Sequence, residues 1–196
     1  MLEKMNLFDF AFNVGNSKNP PGGGASACYV ANLGISLIRM SCVIILKNND
    51  NVKDIFYNYI EKLDLIKGNL FILMNKDSYI FEKFLKFEEL SNEYKEKVVL
   101  ESCEIPLEII ENILIVFSLT EEITQNYINN TECDIMSGVD FLKCALNACC
   151  YNVLFNIEFL NSIVLKGKIS NKMNCLKKQS NLFYKNIKEK LNYEKI

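Results

Sequence analysis

Three consecutive glycines, Gly22-Gly23-Gly24, run directly into the small-residue stretch Ala25-Ser26-Ala27-Cys28. Bare backbone at a helix start lets N–H groups approach a carbonyl, carboxylate or phosphate, with the positive end of the helix dipole behind them. The chain has no histidine, so acid–base chemistry falls to Asp, Glu, Lys, Tyr or Cys. Asp77 is the first candidate. It sits among apolar residues in Leu73-Met74-Asn75-Lys76-Asp77-Ser78-Tyr79-Ile80-Phe81, where partial burial raises a carboxyl pKa. A solvated aspartate paired with nearby lysines is the plainer reading. Asn152 and Asn156 stand one turn apart on a very apolar stretch. A buried amide left without a partner costs about 1–3 kcal/mol, so these two need a neighbouring helix, a ligand or each other across a dimer. Asp134 follows Asn129-Asn130-Thr131 at a helix start, and capping is its plainer role. Lys47, at the end of the glycine-led helix, is either solvated or placed to meet an anion.

The elements that must hold these residues are helical throughout. A short first helix carries Leu2, Met5, Leu7, Phe8, Phe10, Ala11 and Phe12 and ends at Asn13-Val14-Gly15-Asn16. The second is predicted from about Gly24 to Leu46, and Asn48-Asn49-Asp50-Asn51 breaks it. A third is predicted over about 51–88, with Gly68 a possible kink or split. A charged connector from Glu88 to Lys97 turns at Ser91-Asn92. The fourth covers about 93–129, with Pro106 opening a segment or bending it. The fifth covers about 134–163, and the last runs from Ser170 to about Asn192. No strand alternation or repeat is visible. The pattern predicts an all-α, single-domain bundle of about six helices over residues 1–196. The second and fifth helices are apolar nearly all round, which points to a central position or a homodimer interface.

Composition narrows the function classes. The chain has 196 residues, 49% of them hydrophobic, and a net charge of −2, which argues against a nucleic-acid surface. Arg39 is its single arginine, so bidentate phosphate clamping is scarce. The eight cysteines form no CxxC pair, and Met1-Leu2-Glu3-Lys4 leads into an amphipathic stretch rather than an apolar signal core. They read as reduced thiols of a cytoplasmic protein, with a zinc site as the alternative. Residues 25–46 are long and apolar enough for a membrane span. Arg39, Asn32, Ser36 and Ser41 within them favour a buried helix of a bundle instead.

Several separated motifs resemble the formiminotetrahydrofolate cyclodeaminase/methenyltetrahydrofolate cyclohydrolase family, which consists of small all-helical folate enzymes. Pro21 to Ser26, continuing through Gly34 and Met40, matches its Pro-Gly-Gly-Gly-Ser motif and small-residue helix, with Ala25 in place of Ser. Asp77-Ser78-Tyr79-Ile80-Phe81 keeps the Asp and Phe of its Asp-Ala-Glu-Ala-Phe run. Ile105-Pro106-Leu107 stands for Val-Pro-Leu, Cys133-Asp134 for Ser-Asp, and Asn152-Val153-Leu154-Phe155-Asn156 for Asn-Val-x-x-Asn. The departures remove positive charge. Leu46-Lys47-Asn48-Asn49 keeps one lysine of a basic turn, Leu90-Ser91-Asn92 replaces Leu-Pro-Lys, and Arg39 stands where small residues are usual.

The resemblance implies an enzyme acting on the one-carbon unit at N5 and N10 of a tetrahydrofolate derivative. It either hydrolyses 5,10-methenyltetrahydrofolate to 10-formyltetrahydrofolate or cyclises 5-formiminotetrahydrofolate with release of ammonia. It implies Asp77 as the catalytic carboxylate. It implies Gly22, Gly23, Gly24, Ser26, Lys47, Asp134, Asn152 and Asn156 as substrate contacts, Lys47 meeting the glutamate tail and the asparagines a pterin edge. No metal and no cofactor beyond the folate are expected, and neither nucleic acid nor membrane. The lost basic residues motivate the alternative of a non-catalytic helical relative that dimerises or binds a partner.

Overall fold

The computed structural model describes residues 1–16, 21–126 and 130–193. The predicted helix end at Asn129 lies outside them. Among the described residues six α-helices run in order: α1 Leu7–Val14, α2 Gly23–Asn48, α3 Lys53–Leu85, α4 Asn92–Asn126, α5 Glu132–Asn156 and α6 Ile163–Lys190. No strand occurs among the described residues.

Local chemistry explains where the helices begin. The Asn6 side chain accepts the Asp9 N–H at 2.9 Å and opens α1. The predicted first helix is therefore split into a 3-10 turn at Leu2–Lys4 and α1. Ser162 opens α6 in the same way, accepting the Leu165 N–H at 3.3 Å. This corrects two predicted boundaries. The fifth helix stops at Asn156 rather than at 163, and the last starts at Ile163 rather than Ser170, because the serine cap outweighs Gly167 as a helix breaker. Gly68 neither kinks nor splits α3, which passes through it as one element. Pro106 lies inside α4 rather than opening a segment.

α2 packs between α3 and α5, α4 completes the square against α3 and α5, and α6 lies on α4 and α5. Short connections make successive helices antiparallel, so α2 and α4 begin at the end of the bundle where α3 and α5 finish. Phe56, Leu63, Leu70, Leu73, Ile109, Ile113 and Phe117 are fully buried in the shared core. Each such side chain contributes about 1.5–3 kcal/mol of burial free energy. α2 meets α5 at backbone distance. A β-carbon on Gly34 would lie 2.6 Å from the Gly138 carbonyl oxygen, and one on Gly138 the same distance from that of Gly34.

α2 is long and apolar enough to cross a membrane by length and composition. Its packing against α3 and α5 accounts for the same apolar character. Arg39, within this helix, donates from Nε to Asp64 Oδ1 of α3 at 2.7 Å.

Candidate functional site

A cavity of about 210 Å³ opens at the end of the bundle where α2 starts and α3 and α5 finish. Gly22, Gly23 and Gly24 form one wall; Asp77, Ile80, Phe81 and Phe84 of α3 form a second. Ser102 of α4 and Asn152, Phe155 and Asn156 of α5 complete the lining. Among the described residues no lysine or arginine lines it.

The glycine run accommodates a carboxylate, and that carboxylate belongs to the chain itself. Gly22 caps α2 without a side chain, and its carbonyl accepts both the Ser26 N–H at 3.0 Å and the Ser26 hydroxyl at 2.8 Å. The Ala25 N–H, one of the donors left over in the first helical turn, donates to Asp77 Oδ2 at 2.8 Å. Asp77 thus sits on the positive end of the α2 dipole. A β-carbon at Gly24 would fall 2.1 Å from Asp77 Oδ1, so only glycine permits this approach. The other two glycines are under less constraint. Among the described residues the nearest atom to a β-carbon on Gly22 is 3.5 Å away, in the Phe81 ring, and on Gly23 it is 3.4 Å away, in Asn152.

Burial pushes the Asp77 carboxyl up to about 6, against the lowering effect of the Ala25 N–H. Two buried thiols beneath it, Cys28 and Cys149, are pushed up mainly by burial and further by the Asp77 charge. They are held as neutral core groups. Among the described residues that line the cavity Asp77 is the one carboxyl, and it holds its proton more tightly than an ordinary aspartate.

The far wall is set by a proline. Pro106 has no N–H to give the Ser102 carbonyl four residues earlier in α4. Asn156 Nδ2 supplies the missing donor at 2.6 Å and ties the end of α5 to α4. Among the described residues no protein group bonds the Asn152 side chain, which leaves its amide facing the cavity. Of the two asparagines, Asn156 serves the neighbouring helix and Asn152 is open to a ligand.

The structure brings Asp77, Gly22, Gly23, Gly24, Asn152 and Asn156 together, and leaves three predicted contacts elsewhere. Ser26 does not line the cavity, and its hydroxyl bonds back within its own turn. Lys47 stands at the opposite end of α2, roughly 36 Å away at about 1.5 Å of rise per residue. Asp134 lies in the first turn of α5, roughly 27 Å along that helix from Asn152. It does not cap the helix, which begins at Glu132 with Thr131 in the cap position. Within one chain neither residue reaches the cavity. Ser102, Phe84 and Phe155 are lining residues that sequence reasoning passed over. Pro106 was the signal for Ser102, since a proline in a helix frees a known carbonyl.

The formiminotransferase-cyclodeaminase family profile matches residues 6–174. No curated protein matches the sequence. The crystal structure of formiminotetrahydrofolate cyclodeaminase from Thermotoga maritima superposes with a TM-score of 0.92 at 21% sequence identity, covering 98% of each chain. That likeness concerns the fold, and the sequence match over most of the chain carries the assignment: this chain belongs to the formiminotransferase-cyclodeaminase family.

Proposed function

We propose that the chain is a folate one-carbon enzyme in which Asp77 moves the proton at the carbon joining N5 and N10. The observation that supports this reading is the buried carboxylate beside Gly24, fixed by the Ala25 N–H and pushed up to about 6. A group with that pKa is mostly ionised at neutral pH yet readily reprotonated, as a combined base and acid requires.

In the hydrolytic direction, a water beside Asp77 attacks the methenyl carbon of 5,10-methenyltetrahydrofolate and gives its proton to the carboxylate. The C–N5 bond then breaks, N5 takes a proton back, and 10-formyltetrahydrofolate leaves with one net proton released. In the deaminating direction, N10 attacks the formimino carbon of 5-formiminotetrahydrofolate. The formimino group enters protonated, as an amidinium; the N10 proton passes through Asp77 to its nitrogen, which then carries three hydrogens and leaves as ammonia. Both routes use one positioned carboxylate, and the Asn152 amide orients the pterin edge. Such a group contributes about 10²–10⁴-fold in rate.

The absorbance of 5,10-methenyltetrahydrofolate provides the test, followed as decay from that compound or as appearance from 5-formiminotetrahydrofolate. Asp77→Asn is expected to lose about 10²–10⁴-fold in kcat. Background rates for both wild type and variant in both directions would sink the enzymatic reading.

The same reading takes the protein as a cytoplasmic homodimer. Leu33 and Met40 of α2 and Phe141 and Tyr151 of α5 are all at least 40% exposed in the single chain. The Phe141 β-carbon lies 3.2 Å from where a Gly34 β-carbon would stand, so the two apolar stripes adjoin. A continuous apolar face of this kind suits a second copy. Sedimentation is expected to give a dimer that Met40→Lys weakens; a monomer at micromolar concentration rejects it.

A further inference from the structure

Outward from Asp77, the cavity opens onto a cluster of phenylalanines. Phe84 and Phe155 line it, and Phe159 stands against both, with ring centroids at 5.2 Å from Phe84 and 5.3 Å from Phe155. Phe155 is 62% exposed and Phe159 42% exposed. Phe159 belongs to a 3-10 turn, Ile157–Phe159, that follows the end of α5. These rings come from three elements, α3, α5 and the 3-10 turn, and of the three Phe84 also packs against the core. Exposed rings held edge-to-face leave faces free to stack on a planar group.

The charges around the mouth are of a different kind. The Lys95 ammonium lies 5.2 Å from the Phe87 ring centroid and 3.5 Å from Glu88 Oε2. Lys83 is held over the rings of Tyr79 and Tyr94. On the other side of Ile80, a groove is lined by Glu101, Glu104 and Glu108 against Lys76. These two described lysines are thus already engaged with rings or a carboxylate, and the groove beside them is lined mostly by carboxylates. The cavity itself, at about 210 Å³, is smaller than the roughly 300–1,000 Å³ of sites that enclose a whole drug-sized ligand. It takes the head of such a molecule and leaves the rest at the mouth.

We propose that Phe84, Phe155 and Phe159 form a stacking subsite for the planar aromatic segment of the substrate, and that stacking anchors the part of the ligand outside the cavity. This rests on the folate reading, on which that segment is the aminobenzoyl group, and it deepens that reading by excluding the glutamate tail as the main anchor. Specificity then follows the ring and ignores the number of glutamates.

Calorimetry with three probes tests it: 5-formyltetrahydrofolate, its triglutamate form, and 6-methyltetrahydropterin, which lacks the aminobenzoylglutamate. Phe84→Leu/Phe155→Leu is expected to weaken 5-formyltetrahydrofolate by about tenfold and to leave 6-methyltetrahydropterin within about twofold. The exposed Phe155→Leu alone, which removes no core packing, is expected to give a smaller loss in the same direction, and Phe155→Tyr to restore affinity. Wild type is expected to bind the triglutamate within about threefold of the monoglutamate. Equal weakening of pterin and folate by the double variant overturns the subsite, as does a triglutamate bound more than about tenfold tighter. Wild type binding none of the three probes overturns the folate reading itself, and the subsite with it.

Discussion

Two aspartates on α3 each take a donor from α2 at nearly the same distance, yet they sit in opposite environments. Asp77 Oδ2 accepts the Ala25 backbone N–H at 2.8 Å; Asp64 Oδ1 accepts the Arg39 guanidinium Nε at 2.7 Å. Asp64 keeps 46% of its side chain exposed and faces a full positive charge. Asp77 faces only a helix dipole, is enclosed by glycine backbone and rings, and is pushed up to about 6. Burial with an incomplete partner makes a proton-transfer group. Exposure with a complete partner makes a surface ion pair worth about 0–1 kcal/mol. What distinguishes them is what surrounds the hydrogen bond.

Substitution by asparagine sharpens the contrast, because it removes the charge at either position and keeps the shape. The largest expected effect is the loss of about 10²–10⁴-fold in kcat for Asp77→Asn. Asp64 lies roughly 20 Å away along α3 at about 1.5 Å per residue, so Asp64→Asn is expected to leave kcat within about twofold. A comparable loss at both positions would break the comparison.

Next in size is stability, and here the sign is opposite to that for activity. Burial pushes the Asp77 carboxyl up to about 6 in the fold from its ordinary 3.8, so the native state holds the proton more tightly than the unfolded chain. Stability from this group is therefore present at low pH and falls as pH rises from about 4 to about 6. Above that window the loss is complete, at about 3 kcal/mol by 1.36 kcal/mol per pKa unit. Asp77→Asn never ionises. It is expected to be more stable than wild type by up to about 3 kcal/mol at pH 7, with the gap closing below about pH 4. Urea unfolding at several pH values measures it. A variant less stable than wild type at pH 7 would show that the ionised form is favoured in place, and Asp77 would no longer fit the acid–base role.

How much of this was written in the sequence depends on how local each feature is. The glycine run, the Asp77 motif and Pro106 were visible because each rests on a few neighbouring residues. What the glycines accommodate was not, since the Gly24–Asp77 approach needs α2 and α3 packed at one register. The fate of Asn156 required the same knowledge of α5 against α4. The placement of Lys47 with the glycines failed for a reason the sequence did contain. A continuous helix from Gly23 to Asn48 carries its two ends to opposite ends of the bundle. The last two helix boundaries failed because Ser162 was not weighed as a cap.

The smallest expected effect lies at Asp64. Its pair with Arg39 joins α2 to α3 well away from the cavity, and both side chains keep about a third or more of their surface in water. Solvent screens the charges, and holding Arg39 in place costs side-chain entropy. Arg39→Met retains most of the aliphatic stem that packs along α3 and removes only the guanidinium. Its cost is expected to stay under about 1 kcal/mol, to shrink further in molar salt, and to match that of Asp64→Asn, since each removes the same pair. The double variant should then cost no more than either single one. If Arg39→Met instead costs 3 kcal/mol or more, independent of salt, the pair behaves as a buried one. The seam between α2 and α3 would then carry two enclosed aspartates, and burial could no longer single out Asp77 for the proposed proton transfer.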